Sequence, residues 1–506
     1  MVRYTALLAF ILIFSGCERS TGPTPVSPSS SSTGKINFSL DKQNAPAAVN
    51  TLVISLSRSG YTAVEKVIDI KNDSAASVLF DALPVGTWKV NIDAKNSGGT
   101  VLYTGQAEVT VFENTVSIVN ITLNAVPTGT GSVQINVTWG GINPVIFPKT
   151  YGGSNADMGM SVCPTKEGGY ILGGISHSIG EGGGDAWVVK TTANGAVVWS
   201  KSYGTAGEDR VNSILQTSDG GFLFVGYKHV DGEDSWIVKL DSIGNVQWTK
   251  NYGLSGDDAF LTVKQLSDGN YLTCGYTYTS NWGSGNFYDG RVVKFSPTGD
   301  ILWSKNLGSI GGDFTMNFIE MPQAGIYVSG YNGSNTQNIY DLWLIKMSQS
   351  GNVLWEKTYG TQYEERSAGL TTTSDGNLMI SGFRVTNSAR VGLITKVDTA
   401  GKELWTKEYP SVNGDMLKMK TLSNNSIMVS GYSTVSGFGQ QGMLMNVTND
   451  GTHLWTKYYG GSGLELFSEI QRTNDNKIVA IGITSSIGAG QQDYWLLKLN
   501  NDGVIQ

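Results

Sequence analysis

Hydrophobic and polar residues alternate along much of the chain from Lys35 onward, in short runs separated by glycine-rich turns. The runs TWKVNIDA from Thr87, VLYTGQAEVTV from Val101 and TVSIVNITL from Thr115 follow this pattern. A period of two is typical of strands with one buried face, whereas a helix would need a period of about 3.6. The pattern predicts an all-β protein built from short antiparallel strands.

A unit of roughly fifty residues recurs through the C-terminal part of the chain. Its clearest element is a Trp followed by x-Lys-x-Tyr-Gly. Copies, some degenerate, begin at Phe147, Trp199, Trp248, Trp303, Trp355, Trp405 and Trp455, and successive starts are 52, 49, 55, 52, 50 and 50 residues apart. Fixed periods of this size are typical of solenoids, propellers and arrays.

Each repeat divides into four strand-like runs, which in the first copy cover 160–164, 170–175, 186–191 and 196–203. Four short antiparallel strands repeated four to eight times make a β-propeller. A parallel β-helix would need a shorter repeat, and a helical solenoid would need helical periodicity. The seventh copy ends where its fourth strand should begin, and VIFPKTYG from Val145 offers a spare strand. The sequence therefore predicts a seven-bladed β-propeller over 145–506, with its N-terminal strand closing the last blade.

Two glycines and the Trp recur at fixed places in the repeat. The glycine of the second strand predicts close approach of another backbone or side chain, in tight packing between blades. The glycine four residues before each Trp predicts a hairpin turn with positive φ, and the Trp is expected to pack against the neighbouring blade. The second-strand glycines are Gly174, Gly226, Gly275, Gly330, Gly382, Gly431 and Gly482, and the turn glycines are Gly195, Gly244, Gly299, Gly351, Gly401, Gly451 and Gly503.

The repeat resembles the YGG…D…QTSDGGY…G…DxWxxK…GxxxW units of bacterial secreted and lipid-anchored propeller proteins, including quinoprotein-like and delta-60-like repeats. Its turn is similar to the tryptophan-docking motif of quinoprotein propellers, and VDTAGKELW from Val397 is the nearest match, with a turn one residue shorter. The resemblance implies a propeller. It does not imply a quinone, and no cofactor is expected.

The alternating pattern of residues 35–126 predicts about seven short strands, as in a β-sandwich, with turns predicted at 96–99 and at Glu113-Asn114. FDALPVGTWKVNI from Phe80 resembles a turn of prealbumin-like and immunoglobulin-like modules in bacterial surface proteins, which implies a stalk or spacer. Residues 127–144 are rich in Gly and Thr and are interpreted as a linker.

The N-terminus has the pattern of a targeting segment. Arg3 precedes an apolar run over 6–14, which is too short to span a bilayer. The following Ser-Gly-Cys17 resembles the lipobox of bacterial lipoproteins, which implies cleavage and acylation at Cys17. Residues 1–17 would then be the signal peptide with its lipobox Cys, 18–34 a Ser/Thr/Pro-rich linker, and the protein lipid-anchored in the cell envelope, with the outer membrane or cell surface favoured over the cytoplasmic membrane. The alternative is an ordinary secretory peptide with an incidental cysteine.

Composition restricts the chemistry. A net charge of -7 with no basic run argues against nucleic acid binding, and three histidines leave little material for His-based catalysis or a multi-His metal site. Cys163 and Cys274 lie in different repeats and are interpreted as buried, unpaired and unreactive.

A carboxylate recurs six residues after the Tyr position of every repeat. This set either forms a ring that binds a cation at one mouth of the channel or caps seven turns, and its presence in every repeat favours caps. Its members are Asp157, Asp209, Asp258, Asp313, Glu365, Asp415 and Glu465.

Ligand recognition is expected where the repeats differ, in the loops between second and third strands. By strand alternation these loops are predicted to share a face with the acidic turns. The third repeat has the longest such loop, with Tyr278, Trp282, Phe287 and Tyr288, and flat rings flanked by polar residues suit sugar or peptide recognition. The alternative is a loop that folds over its own aromatic cluster. His177 and His229 of the first and second repeats could flank the same patch.

These observations favour a non-catalytic lipoprotein that displays a propeller for binding glycans or surface proteins. A polysaccharide-active hydrolase or lyase and a structural partner in an envelope complex remain as alternatives. No nucleophile elbow, phosphate loop or zinc spacing occurs, so no catalytic residue or metal ligand is assigned. A glycosidase would need two nearby carboxylates. Among the loop acids Glu181, Asp185, Asp231, Glu233 and Asp234, the positions of Asp185 and Asp234 recur in other repeats, which indicates a structural role.

Overall fold

The computed structural model describes residues 33–39, 49–69, 77–111, 116–118, 124–125, 147–229, 232–253, 256–279, 287–308, 311–321, 323–333, 339–386 and 389–506. These residues form thirty-six β-strands and no helix, so the all-β prediction is confirmed. No helix among the described residues is therefore long and apolar enough to cross a membrane. The strands belong to two compact units, one before and one after residue 146.

The N-terminal unit contains two sheets. A three-stranded sheet has the order β4-β1-β7 and a five-stranded sheet has the order β3-β2-β5-β6-β8. Its strands are β1 (Thr33–Ser39), β2 (Thr51–Ser57), β3 (Val64–Asp69), β4 (Ser77–Pro84), β5 (Gly86–Lys95), β6 (Val101–Val111), β7 (Val116–Ile118) and β8 (Asn124–Ala125). Alternate residues of β2 and β5 point inward and form one core with Phe80 and Leu83 of β4. The turn predicted at 96–99 is present, with Asn96 Oδ1 accepting from the N–H groups of Gly98 and Thr100. The turn predicted at Glu113 and Asn114 lies outside the described residues.

The described residues of the C-terminal unit form seven four-stranded antiparallel sheets. The strands of sheets 1 to 3 are β10 (Asp157–Pro164), β11 (Tyr170–Ser176), β12 (Asp185–Thr191), β13 (Val197–Tyr203); β14 (Arg210–Gln216), β15 (Phe222–His229), β16 (Glu233–Leu240), β17 (Val246–Tyr252); and β18 (Ala259–Gln265), β19 (Tyr271–Thr279), β20 (Phe287–Phe295), β21 (Ile301–Leu307). Sheets 4 and 5 contain β22 (Asp313–Met321), β23 (Gly325–Gly333), β24 (Tyr340–Met347), β25 (Val353–Tyr359); and β26 (Glu364–Thr372), β27 (Leu378–Thr386), β28 (Ala389–Val397), β29 (Glu403–Tyr409). Sheet 6 is β30 (Met416–Thr421), β31 (Ile427–Val435), β32 (Gly439–Val447), β33 (His453–Tyr459), and sheet 7 is β34 (Glu465–Arg472), β35 (Ile478–Thr484), β36 (Asp493–Leu499) with β9 (Lys149–Tyr151).

The seven sheets close a ring. The first strand of each sheet contacts the first strand of the next, and β34 contacts β10. Seven clusters of buried hydrophobic residues each combine two adjacent sheets, including sheets 7 and 1. In sheet 7, Tyr151 of β9 pairs with Tyr494 of β36, so a strand from before the first sheet supplies the fourth strand of the last. This arrangement is consistent with a β-propeller.

The second-strand glycines face a β-bulge. In sheet 2 the bulge lies between Val211 and Ser213 of β14, opposite Gly226, and a Cβ on that glycine would overlap the carbonyl oxygen of Arg210. All seven of these glycines meet such a carbonyl. The predicted close approach is confirmed. The nearest backbone belongs to the bulged first strand of the same sheet, because the extra residue pushes its carbonyl toward the second strand. Side chains of neighbouring sheets also approach some of these glycines, as Thr315 of sheet 4 does when its hydroxyl donates to Gly275 O at 2.6 Å.

The turn glycines join neighbouring sheets. All seven have positive φ, between 72° and 84°, as predicted. The Trp of the preceding repeat packs on the turn, so that a Cβ on Gly401 would lie 2.7 Å from the Trp355 ring. The repeat Tyr, to which the sequence analysis gave no role, donates its hydroxyl to the carbonyl of the same glycine, and Tyr359 lies 2.7 Å from Gly401 O. The same bond joins Tyr151 to Gly195, Tyr203 to Gly244, Tyr252 to Gly299, Tyr409 to Gly451 and Tyr459 to Gly503.

Candidate functional site

The loops between second and third strands lie beside the acidic turns of the next repeat. The amide of Asp209 donates to Gly184 O at 2.8 Å, and the amide of Asp258 donates to Glu233 O at 2.6 Å. The amide of Asp157 likewise donates to Gln492 O at 2.7 Å. The prediction that these loops share a face with the acidic turns is confirmed. We call this end of the ring the acidic end.

The recurrent carboxylates are buried, and they accept hydrogen bonds from the turn that precedes them, from the end of the second strand or from an arginine side chain. Asp157 accepts from the Gly153 amide at 2.7 Å and from the Ser178 hydroxyl at 2.8 Å. Glu465 accepts from the amides of Gly461 and Ser486 at 3.2 and 3.1 Å. Asp209 accepts from His229 N, Asp258 from Tyr278 N, Asp313 from Gly333 N, Glu365 from Arg384 Nε and Asp415 from Arg390. Backbone amides donate to six of the seven, as in turn caps. Asp415 instead forms an ion pair with Arg390, and Glu365 is also paired with Arg384. Among the described residues, no group of three or more His, Cys, Asp or Glu side chains could hold a metal ion.

Asp415 does not occupy the same structural position as the other six. In each other sheet, the residue two places after the acid pairs with the second-strand glycine, as Val211 after Asp209 pairs with Gly226. In sheet 6 the residue directly after Asp415, Met416, pairs with Gly431. Equal spacing along the sequence therefore conceals a shift of one residue, because the segment after Tyr409 makes its own tight turn, in which the Val412 amide donates to Tyr409 O at 2.9 Å.

The structure brings two of the four predicted loop aromatics together. Tyr278 and Tyr288 pair across β19 and β20, with ring centroids 5.9 Å apart, and both are half-buried. Trp282 lies outside the described residues, and of Phe287 only the backbone position in β20 is described. Tyr288 also contacts Tyr276, whose ring is almost fully buried, at 5.5 Å.

This group continues into sheet 4. Tyr288 lies 5.6 Å from Phe314, which stacks on Tyr331 at 5.0 Å. Tyr340 meets Tyr331 edge to face at 5.3 Å, and the Arg366 guanidinium lies 4.4 Å from the Tyr340 ring centre. We call Tyr276, Tyr288, Phe314, Tyr331 and Tyr340 the aromatic cluster. Phe314, Tyr331 and Tyr340 of sheet 4 were not predicted as site residues. Tyr340 could have been predicted, because it lies at the end of one of the variable loops.

The two predicted histidines lie outside the aromatic cluster. A ring nitrogen of His177 lies 2.9 Å from Ala156 O in sheet 1. His229 is exposed at the end of β15 in sheet 2, and its amide donates to Asp209 at 3.0 Å. The ring contact of His177 is with backbone, and so it serves the local turn.

Two further acids, Glu208 and Asp257, act electrostatically on Glu233 at the acidic end. Tyr276 donates to Glu233 at 3.5 Å, and Tyr227 donates to Glu208 at 2.5 Å. Burial, with the negative charges of Asp257 and Glu208, raises the pKa of Glu233 to about 7, against the opposing effect of Arg210. Glu208 and Asp257 each directly precede a recurrent carboxylate in the sequence, and neither was predicted as a site residue.

The first strands of all seven sheets surround a cavity of about 300 Å³. Its lining includes Lys264, Lys418, Lys420 and Glu469, none of which the sequence analysis singled out. Cys163 also lines the cavity and is partly accessible, whereas Cys274 is buried. The prediction of a buried thiol therefore holds for Cys274 and was wrong for Cys163, because its strand faces the central channel.

No protein-family model matches the chain, and no curated protein matches it. Among solved structures, the chain is similar to puromycin hydrolase, with 14% identity over 70% of this chain and 54% of the other, at a TM-score of 0.47. The chain thus spans about half the length of that protein. Periplasmic gluconolactonase PpgL of Pseudomonas aeruginosa matches with 11% identity over 68% and 94% of the two chains, at a TM-score of 0.42. A glucose dehydrogenase matches with 10% identity over 56% and 94%, at a TM-score of 0.35. Similarities with such low sequence identity and TM-scores do not assign an activity to this chain.

Proposed function

We propose that this protein is a non-catalytic cell-envelope lipoprotein. In this proposal Cys17 carries the acyl chains, residues 35–126 form a β-sandwich spacer, and residues 145–506 form a seven-bladed propeller that binds a glycan or a surface protein. The anchor is supported by the lipobox-like sequence, and the outer membrane or cell surface is favoured. Replacing Cys17 with Ser is expected to abolish metabolic labelling with a radioactive fatty acid, and persistent labelling would refute the anchor.

The aromatic cluster at the acidic end is the observation that supports binding. Tyr288 and Tyr340 are half-buried, so each ring keeps an accessible part while its packed part is held by Tyr276, Phe314 and Tyr331. A ring that is already fixed loses little entropy when a sugar or a peptide stacks on it. Arg366 beside Tyr340 adds hydrogen-bond donors and a positive charge to the same surface.

Binding to glycans and envelope proteins tests this site directly. The full chain in detergent would be applied to a glycan array and to envelope extracts, together with Tyr288→Ala, Tyr340→Ala and Trp282→Ala. We expect at least one of these variants to bind at least about ten-fold more weakly, the size of loss expected when a binding hot spot is removed. Tyr458→Ala is the matched control, because Tyr458 is an exposed tyrosine on the outer strand β33. Unchanged binding by all three variants, with folding verified by circular dichroism, would place the ligand elsewhere.

The surroundings of Glu233 favour the second candidate, a polysaccharide-active enzyme. Glycoside hydrolysis needs one carboxyl group that stays protonated near neutral pH close to an ionised one, and Glu233 has a pKa of about 7 beside Glu208 and Asp257. If the protein cleaves an envelope polysaccharide, Glu233→Gln should lower the rate at least about 100-fold. If the wild-type protein cleaves none of a panel of polysaccharides, the enzyme candidate is rejected and binding is the remaining function.

A further inference from the structure

The cavity of about 300 Å³ lies inside the ring, in the second half of the first strands. The recurrent acids lie at or just before the starts of those strands, so the cavity is at the other end of the channel. It is lined, among others, by Ile214 of β14, Val263 of β18 and Met419 of β30. A closed wall of strands with one cavity inside it is a typical place for a small ligand.

The charged residues of the lining are three lysines and one carboxylate. Lys264 lies on β18, Lys418 and Lys420 on β30, and Glu469 on β34. Glu469 is already bound, since it accepts from the Ser161 hydroxyl at 2.6 Å, from the Val162 amide at 3.1 Å and from Gln471 at 2.6 Å. No described ion pair joins it to any of the three lysines. Three lysines against one carboxylate leave an excess of two positive charges.

The three lysines differ in their contacts. Lys264 donates to Asn317 Oδ1 at 3.0 Å and to the Phe318 carbonyl, and its ammonium lies 5.0 Å from the Phe318 ring centre. Lys418 and Lys420 alternate on one face of β30, which pairs with β31 through its backbone. Within the described residues, neither lysine ammonium makes a hydrogen bond or an ion pair to protein. Burial together with Lys420 and Lys418 lowers the pKa of Lys264 to about 7, and burial lowers the pKa of Lys420 as well. Like charges confined in this way are unfavourable unless an anion lies between them.

Comparison between sheets shows that the ring does not require these charges. Lys418 and Glu469 directly follow the bulge of their strands, and Lys264 and Lys420 lie two residues beyond that position. The residues aligned with Lys418 in the other sheets are Ser161, Ser213, Thr262, Asn317, Gly369 and Glu469, and those aligned with Lys264 are Cys163, Leu215, Ile319, Thr371, Lys420 and Gln471. Most sheets form the same strand with a neutral residue. The first strands therefore do not need these lysines in order to form. Like charges that lie close together on a sheet are destabilising, so the lysines lower the stability of the ring unless a ligand binds them.

We propose that this cavity, which we call the lysine site, binds a small dianion, either a dicarboxylate or a phosphate monoester. Lys418 and Lys420 supply two ammonium groups that no side-chain hydrogen bond or ion pair of the described residues holds, although the charge of Glu469 partly offsets that of Lys420. Lys264 approaches from the facing strand as a third donor. The volume admits a compact metabolite-sized molecule and excludes a polymer. The lysine site is independent of the binding function proposed for the acidic end.

Titration calorimetry of the full chain in detergent at pH 6.5 tests the lysine site. The probes are inorganic phosphate and succinate, with uncharged succinamide as the comparison. We expect phosphate, succinate or both to bind and succinamide not to bind, and which dianion binds identifies the source. Lys418→Met and Lys420→Met should each weaken binding at least about ten-fold, because each removes a charge-assisted hydrogen bond. Lys250→Met is the control, since Lys250 is exposed on the outer strand β17.

A second measurement keeps the test decisive if a variant folds poorly. At pH 7.5 the wild-type protein should take up protons when succinate binds, because succinate is already fully ionised and its charge raises the depressed pKa values of Lys264 and Lys420. If only phosphate binds, the protons that phosphate itself releases are first subtracted. Calorimetry in two buffers of different ionisation enthalpy measures this uptake. Three outcomes would each overturn the proposal. They are binding without proton uptake, binding by Lys418→Met and Lys420→Met that equals binding by Lys250→Met, and binding of neither dianion.

Discussion

Replacing Gly226 with Ala is expected to lower the free energy of unfolding of the C-terminal unit by about 3 kcal/mol or more. A Cβ at this position would lie far inside 3.0 Å of the Arg210 carbonyl oxygen, on backbone that cannot rotate away as a side chain would. Relief would require the bulge of β14 to move, and with it Val211 and Ile214 in the core between sheets 1 and 2. The substitution would therefore disturb the packing between sheets 1 and 2 as a whole.

Gly220→Ala is the matched control for this prediction. Gly220 belongs to the same sheet and has φ near 83°, but nothing lies within 4 Å of the site of its Cβ. Its substitution carries only the backbone strain of a left-handed residue, about 1 kcal/mol. Urea titration followed by tryptophan fluorescence would compare the two variants. Equal losses would contradict the role given to the bulge carbonyl in restricting the second-strand position to glycine.

The features that sequence predicted well are those set within one repeat. Alternation gave the strands, and the glycine before each Trp gave a positive-φ turn, because both depend on local backbone geometry. Residues such as Tyr359 and Gly401 recur together in the sequence, yet the bond between them was not predicted. This hydrogen bond joins two neighbouring sheets, and the spacing of residues within one repeat does not indicate which turn the tyrosine contacts.

The functional positions were harder to predict, because they depend on register. Lys418 and Glu469 become equivalent only when the bulge in each first strand is known, and Asp415 ceases to be equivalent to Asp209 for the same reason. Differences between repeats occur in the first strands as well as in the loops, as Lys264, Lys418 and Lys420 show. The same comparison along the first strands would have found the three lysines, had the bulge provided the alignment.

The second large effect concerns Glu233 and pH. The pKa of this carboxyl is raised from an ordinary 4.5 to about 7, by burial first and then by Asp257 and Glu208, with Arg210 opposing. The folded state therefore binds a proton more tightly than the unfolded state between these two values. The stability linked to this proton is fully present below pH 4.5 and is lost as pH rises through about 7. The loss amounts to about 3 kcal/mol at pH 8.

Glu233→Gln is expected to remove this loss, because a neutral amide replaces the carboxylate and can still accept from the Tyr276 hydroxyl. At pH 8 the variant should be more stable than the wild type by about 3 kcal/mol, and at pH 4.5 the two should be nearly equal. Glu181→Gln, in an exposed loop of sheet 1, is the control and should follow the wild-type profile. Urea titrations at several pH values between 4.5 and 8 give the comparison. If Glu233→Gln loses stability with rising pH as steeply as the wild type, the proton is held elsewhere, and the argument for Glu233 as a catalytic acid fails with it. A protein that keeps a destabilising carboxylate beside two others at its acidic end does so against its own stability, and that is the physical reason to search for a ligand or substrate there.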